Sequence, residues 1–170
     1  ERIMLVQLHI ENVAIIEKLN ITLYKGFNVL TGETGAGKSI LIDSLNALLG
    51  SRVSRELIRS GADKATVQGL FSYHAASLDD LLESFGVERQ EDDTVLISRT
   101  FYDSGKNICR VNGSLVTVSM LRQIGQRLVD IHGQHDNQSL LKDETHIQLL
   151  DLFAGEELAH EKQGYLARLE

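Results

Sequence analysis

The chain has 170 residues, 42% of them apolar and 24% charged. That is enough to bury one sizeable core, and it excludes a collagen-like repeat, a coiled-coil rod and a disordered tail. With 17 basic and 24 acidic side chains the net charge is −7, so the chain as a whole repels a phosphate backbone, and any nucleic-acid contact needs a local basic patch.

The single cysteine, Cys109, excludes an internal disulfide, and no apolar run approaches the roughly 18 residues of a membrane-spanning helix. No charged-then-apolar signal segment stands at the N-terminus, and Met4 reads as the natural start. A reducing, soluble compartment is expected, with no membrane partner.

Ile3 to Glu11 and Ala14 to Leu23 read as two antiparallel strands separated by Asn12, followed by a turn at Lys25-Gly26. Phe27 to Thr31 reads as a short apolar strand running into the glycine-rich Gly32 to Gly37. Leu41, Leu45 and Leu48 then recur at helical spacing, and Gly50 stands where a helix C′ glycine belongs. Ala65 to Tyr73 alternates, with Val67, Phe71 and Tyr73 on one face, and Ser77-Leu78-Asp79-Asp80 offers an N-cap for a helix ending at Gly86. Thr94 to Phe101 and Asn107 to Val111 read as strands of a small antiparallel meander, and Asn112-Gly113 is a tight-turn signal. Thr117 to Gln126 has helical spacing. Leu128-Val129-Asp130-Ile131 reads as a further strand before the polar stretch Gly133 to Ser139, and helices resume near Asp143. Glu156 to Glu170 is helical in pattern without a stop signal, as if cut in mid-course.

Gly32-Glu33-Thr34-Gly35-Ala36-Gly37-Lys38-Ser39 fills every fixed position of G-x-x-x-x-G-K-S/T, between a predicted strand and a predicted helix. Glycines let the backbone curl so that successive N–H groups point at phosphate oxygens, and the helix adds its positive end. Lys38 is predicted to reach the β- and γ-phosphates, and the Ser39 hydroxyl to ligate Mg²⁺. The loop alone does not say which kind of nucleotide enzyme this is. A self-contained kinase or GTPase needs an Asp after an apolar strand, and Asp130 in Asp130-Ile131-His132-Gly133 supplies one. It lies far from Lys38, however, and no N-K-x-D guanine-reading string occurs.

Other constellations are weaker. His132 and His135 form H-x-x-H without a further Cys or His cluster to complete a zinc site. The dense polar run His132 to Gln138 suits a loop that contacts a ligand. Arg52, Arg55, Arg59 and Lys64 form one basic run, and Arg99, Lys106 and Arg110 another; both read by default as solvated surface. Cys109 reads as a buried small hydrophobe.

Leu5-Val6-Gln7-Leu8-His9-Ile10-Glu11-Asn12-Val13-Ala14-Ile15-Ile16 and Gly26 to Ser39 together resemble the RecN family of bacterial DNA repair proteins, among the SMC-like ATPases with ABC-type heads. Ile58-Arg59-Ser60-Gly61-Ala62, Arg110-Val111-Asn112-Gly113 and Val129 to His135 extend the resemblance from Leu5 to about Leu141. It implies an α/β P-loop head split in sequence, of which this chain is the N-terminal lobe: a mixed sheet with an antiparallel β portion over residues 1–155, then the root of a coiled-coil helix over 156–170. It implies that Gln134, rather than Gln138, is the Q-loop glutamine contacting Mg²⁺ and the attacking water, and it removes Asp130 from a Walker B role. It also implies ATP held between two engaged heads, with the C-terminal lobe, a second copy and DNA as partners in the cytoplasm at the nucleoid. No L-S-G-G signature and no apolar run ending in Asp-Glu occurs in the chain. The resemblance therefore implies a lobe that hydrolyses ATP hardly at all by itself; the alternative readings are a self-contained P-loop kinase or GTPase using Asp130, and a nucleotide-gated scaffold that never hydrolyses ATP.

Overall fold

The computed structural model describes residues 2–31 and 36–131. The chain divides into two units, Glu1–Asp130 and Ile131–Glu170, and every element below belongs to the first. The boundary expected at 155/156 and the helix over 156–170 lie outside the described residues.

Six strands, β1 (Arg2–Val13), β2 (Ile16–Thr22), β3 (Lys64–His74), β4 (Thr94–Tyr102), β5 (Asn107–Val111) and β6 (Ser114–Val116), form one sheet in the order β2-β1-β3-β4-β5-β6. Every pairing is antiparallel, so the described residues supply the antiparallel portion and no parallel pairing. Three helices, α1 (Ala36–Leu48), α2 (Ala76–Ser84) and α3 (Val118–Leu128), accompany the sheet.

Alternation decides which sheet face is covered. In β3 the buried positions are Ala65, Val67, Gly69, Phe71 and Tyr73, and β4 answers with Val95, Ile97, Arg99 and Phe101. β1 keeps Leu5 opposite Phe71 and Leu8 opposite Gly69 only because a bulge between Leu5 and Gln7 shifts its phase. The helix α1 lies against this face. A Cβ on Gly69 would sit 2.6 Å from Leu48 Cδ2, so glycine there lets α1 approach the sheet. α3 buries Leu121, Ile124, Gly125 and Leu128, a one-face helical stripe, and Thr117 caps it by accepting from the Met120 N–H at 3.2 Å.

The structure departs from the sequence expectations in four places. Phe27–Thr31 is not a strand: the Asn28 amide turns back, accepting from Tyr24 N–H and donating to the Tyr24 and Gly26 carbonyls, which closes residues 24–28 into a turn. Leu128–Ile131 is not a strand either. Leu128 completes the buried stripe of α3, and the Val129 N–H bonds back to Gly125 O before the chain extends. α1 turns Ile40, Ser44, Ala47 and Leu48 into the core, leaving Leu41 and Leu45 half-buried. α2 starts at Ala76 with Ala75 as its cap, ahead of Ser77, and no side chain caps it.

Candidate nucleotide-binding site

Lys38 and Ser39 lie in the first turn of α1, where both are exposed. That turn contains no acidic residue of its own, which suits an anion at the positive end of the helix. A Cβ on Gly37 would meet nothing within 4 Å, leaving open space beside the first-turn backbone. Gly32, Glu33, Thr34 and Gly35 lie outside the described residues, as does the side chain of Ala36.

A cavity of about 410 Å³ opens next to this turn, lined by Ile16, Leu19, Leu30, Thr31, Gly37, Lys38 and Leu41. Its walls are apolar except at Thr31 and Lys38. Chemically the arrangement pairs an ammonium, a hydroxyl and the N–H end of a helix with an apolar recess, which suits a ligand carrying both phosphates and a flat ring.

The other predicted site residues fare differently. Gln134, Gln138, His132 and His135 lie outside the described residues. Asp130 follows α3 outside any strand among the described residues, whereas a Walker B Asp sits at a strand end. Among the described residues no group of three or more His, Cys, Asp or Glu gathers to hold a metal. The basic runs separate: Arg99 is buried, Arg59 donates to Ile15 O at 2.8 Å, and Arg110 donates to Gly113 O at 2.8 Å. Cys109 is buried as expected; burial pushes its thiol up, and the neighbouring Arg99 guanidinium opposes that shift.

At the opposite end of α1 stand two residues that the sequence pattern did not single out for this role. The Schellman closure at Gly50 (φ +93°) pairs Gly50 N–H with Ala47 O and Ser51 N–H with Asn46 O. Arg99 from β4 donates to the carbonyls of Ala47 and Ser51, the latter at 2.8 Å, while Arg122 from α3 donates to Gly50 O at 3.1 and 3.3 Å. Arg99 was visible in principle, because it occupies an inward position in the alternation Val95, Ile97, Arg99, Phe101. Arg122 carried no such signal.

The profile of the AAA domain family matches residues 7–168. The chain is similar to the DNA repair protein RecN of Bacillus subtilis, with 48% identity over 171 residues, covering 95% of this chain and 28% of RecN. The chain thus spans little more than a quarter of the length of that relative. Among solved structures it is similar to the Smc head domain of Pyrococcus furiosus with an extended coiled coil, bound to the C-terminal domain of ScpA: TM-score 0.66, 24% identity, 99% of this chain and 46% of that one. It is also similar to a chain from work on ATP-driven dimerization and DNA-stimulated activation of SMC ATPases: TM-score 0.62, 23% identity, 86% of this chain and 97% of that one. At these identities the structural likeness establishes the fold alone, that of the lobe of a head domain.

Proposed function

The chain belongs to the AAA domain family, and on that premise we propose that it is the ATP-binding N-terminal lobe of a RecN-like, SMC-family ATPase acting in DNA double-strand-break repair and recombination. The observation that carries this reading is the placement of Lys38 and Ser39 in the first turn of α1, beside an apolar recess.

In this reading the backbone N–H groups of the Gly32–Ser39 loop and the first turn of α1 receive the phosphates. Lys38 supplies a point charge to the β- and γ-phosphates. The Ser39 hydroxyl and the Gln134 side chain would hold Mg²⁺, whose chemistry when bound is to neutralise charge on the phosphate oxygens. Gln134 also orients the water, and the recess lined by Ile16, Leu19, Leu30 and Leu41 takes the base. No helix among the described residues is long and apolar enough to cross a membrane, and the proposed setting is the cytoplasm, at the nucleoid.

Phosphoryl transfer relies on several groups acting together on one geometry. This chain offers no signature and no Walker B acid, so turnover is assigned to an assembly: this lobe, the C-terminal lobe of the same protein and a second head facing it. Hydrolysis would then switch the heads between engaged and open states and alter how DNA is held.

The test is Lys38→Ala in the full-length protein. Because Lys38 is exposed, the fold should be unchanged by circular dichroism while ATP turnover is abolished. Normal turnover in that variant refutes the assignment. For Gln134, a structure with Mg²⁺ and an ATP analogue decides: the side chain must face the metal.

A further inference from the structure

The helix that begins with Lys38 and Ser39 is gripped at its other end by two arginines from separate elements. Arg99 is 2% exposed. Among the described residues no carboxylate pairs with it; the Ala47 and Ser51 carbonyls and the Asn107 side chain receive its N–H groups, and its guanidinium lies 4.9 Å from the centre of the Phe101 ring. Arg122 reaches the Gly50 carbonyl from α3. Two glycines allow this close approach. A Cβ on Gly50 would lie 2.8 Å from the Arg122 backbone, and one on Gly125 would lie 2.8 Å from Leu49 O.

A buried guanidinium without an acid is a poor way to gain stability. An apolar side chain at the same inward position of β4 would give the core its burial without removing a charge from water. The negative end of α1 offsets part of that cost. What the guanidinium adds is direction: its Nη1 donates to the Ala47 and Ser51 carbonyls while its Nε donates to Asn107 Oδ1, and because these donors lie in one rigid plane they fix the position of the helix end. From Leu48 to Lys38 is about 15 Å along a stiff helix, so the angle set at one end determines where the lysine sits at the other.

We propose that Arg99 and Arg122 are positioning residues for phosphoryl transfer, fixing the axis of α1 so that Lys38 and Ser39 meet the phosphates in register. They act through the helix and touch no nucleotide. This inference rests on the ATPase reading above. A misaimed lysine still attracts phosphate but neutralises transition-state charge poorly, so the loss falls on turnover more than on binding.

The experiment uses the full-length protein with Arg122→Gln, Arg122→Lys and Arg99→Lys, measuring steady-state ATP turnover, affinity for a fluorescent ATP analogue and thermal unfolding. Arg122 is exposed, so Arg122→Gln should unfold at the wild-type temperature. Its kcat should fall about ten-fold with KM within about two-fold, and Arg122→Lys should recover most of the loss. Arg99→Lys should show the same split; should it fail to fold, Arg122→Gln alone decides the question. Wild-type kcat in Arg122→Gln overturns the proposal. So does a fall in turnover that merely follows a lowered unfolding temperature, or one expressed as weaker binding. Lys38→Ala in the same assay separates the two levels: if it turns over ATP normally, the ATPase reading fails and this inference falls with it. If it is dead while the arginine variants behave as wild type, only the positioning role is lost.

Discussion

Gly125 in the middle of α3 faces the backbone of Leu49, and a Cβ at that position would lie 2.8 Å from the Leu49 carbonyl oxygen. Two effects compete in Gly125→Ala. Helix propensity favours alanine by about 1 kcal/mol, while forcing a methyl group against backbone costs about 1–3 kcal/mol. The contact is with main chain that cannot swing aside, so the clash should win. Gly125→Ala is expected to lower the midpoint of denaturant unfolding of the 170-residue chain; a raised midpoint would show that α3 can slide away from α1 freely.

Asn112 governs the β5–β6 hairpin in three ways. It accepts the left-handed backbone (φ +48°) followed by Gly113 at φ +84°, its Oδ1 receives the Leu96 N–H at 2.9 Å, and its Nδ2 donates to Glu88 O at 2.8 Å. Asn112→Ala removes both side-chain bonds and the residue type that tolerates positive φ, for an expected loss of about 2 kcal/mol. Asn112→Gly keeps the backbone but not the bonds and should fall between the two in the same unfolding experiment. Equal stability of all three would mean that the side chain contributes nothing to the hairpin.

The hairpin was legible in the sequence because its information is local: Asn-Gly dictates a backbone that only a tight turn uses. The alternation of β3 and the stripe of α3 were legible for the same reason. Phe27–Thr31 was misread because apolar composition suggests a strand, whereas the Asn28 side chain bonds the turn before it. The face of α1 was misread because a buried serine, Ser44, whose hydroxyl returns to Ile40 O at 2.6 Å, stands where an apolar stripe would have a large residue. Lys38 and Ser39 are proposed from the spacing of the glycine-rich loop, which is local information too. The arginine grip on α1 depends on contacts between residues some fifty to seventy positions apart, which no local pattern encodes.

Tyr73 should make stability fall at alkaline pH. Its hydroxyl donates to Asp79 at 2.8 Å within a chain of charges in which Arg89 bridges Asp79 and Asp93, and His74 lies 3.1 Å from Asp93. Burial, followed by the bond to Asp79, raises the phenol to about 12. A group raised on folding gives its full contribution below its ordinary value near 10 and loses it as pH rises through the folded value. The stability advantage of wild type over Tyr73→Phe should therefore be constant below pH 10 and shrink between about 10 and 12. Asp93 runs the other way: Arg89 holds its carboxyl below the usual range, so its contribution is present above that range and is lost as acid protonates it. A pH-independent difference between wild type and Tyr73→Phe would show that the phenol titrates alike in both states.

Phe27, Val29 and Leu30 are 95%, 63% and 50% exposed, in the segment leading into the proposed phosphate loop. Surface this apolar next to the proposed binding site suits an interface with another segment or lobe. If the C-terminal lobe supplies that cover, Phe27→Ser with Val29→Ser should leave the unfolding midpoint of the 170-residue chain nearly unchanged, since these side chains pack on little there. The same pair of changes in the full-length protein should lower its stability by about 2 kcal/mol or more, because each apolar side chain then leaves a buried position. ATP turnover should divide in parallel: near background for the 170 residues alone, measurable for the full-length protein, and reduced in the doubly substituted full-length protein. Turnover by the isolated 170 residues at the full-length rate would show that the site is complete without a second lobe, and equal destabilisation of both forms would place the cover within this lobe.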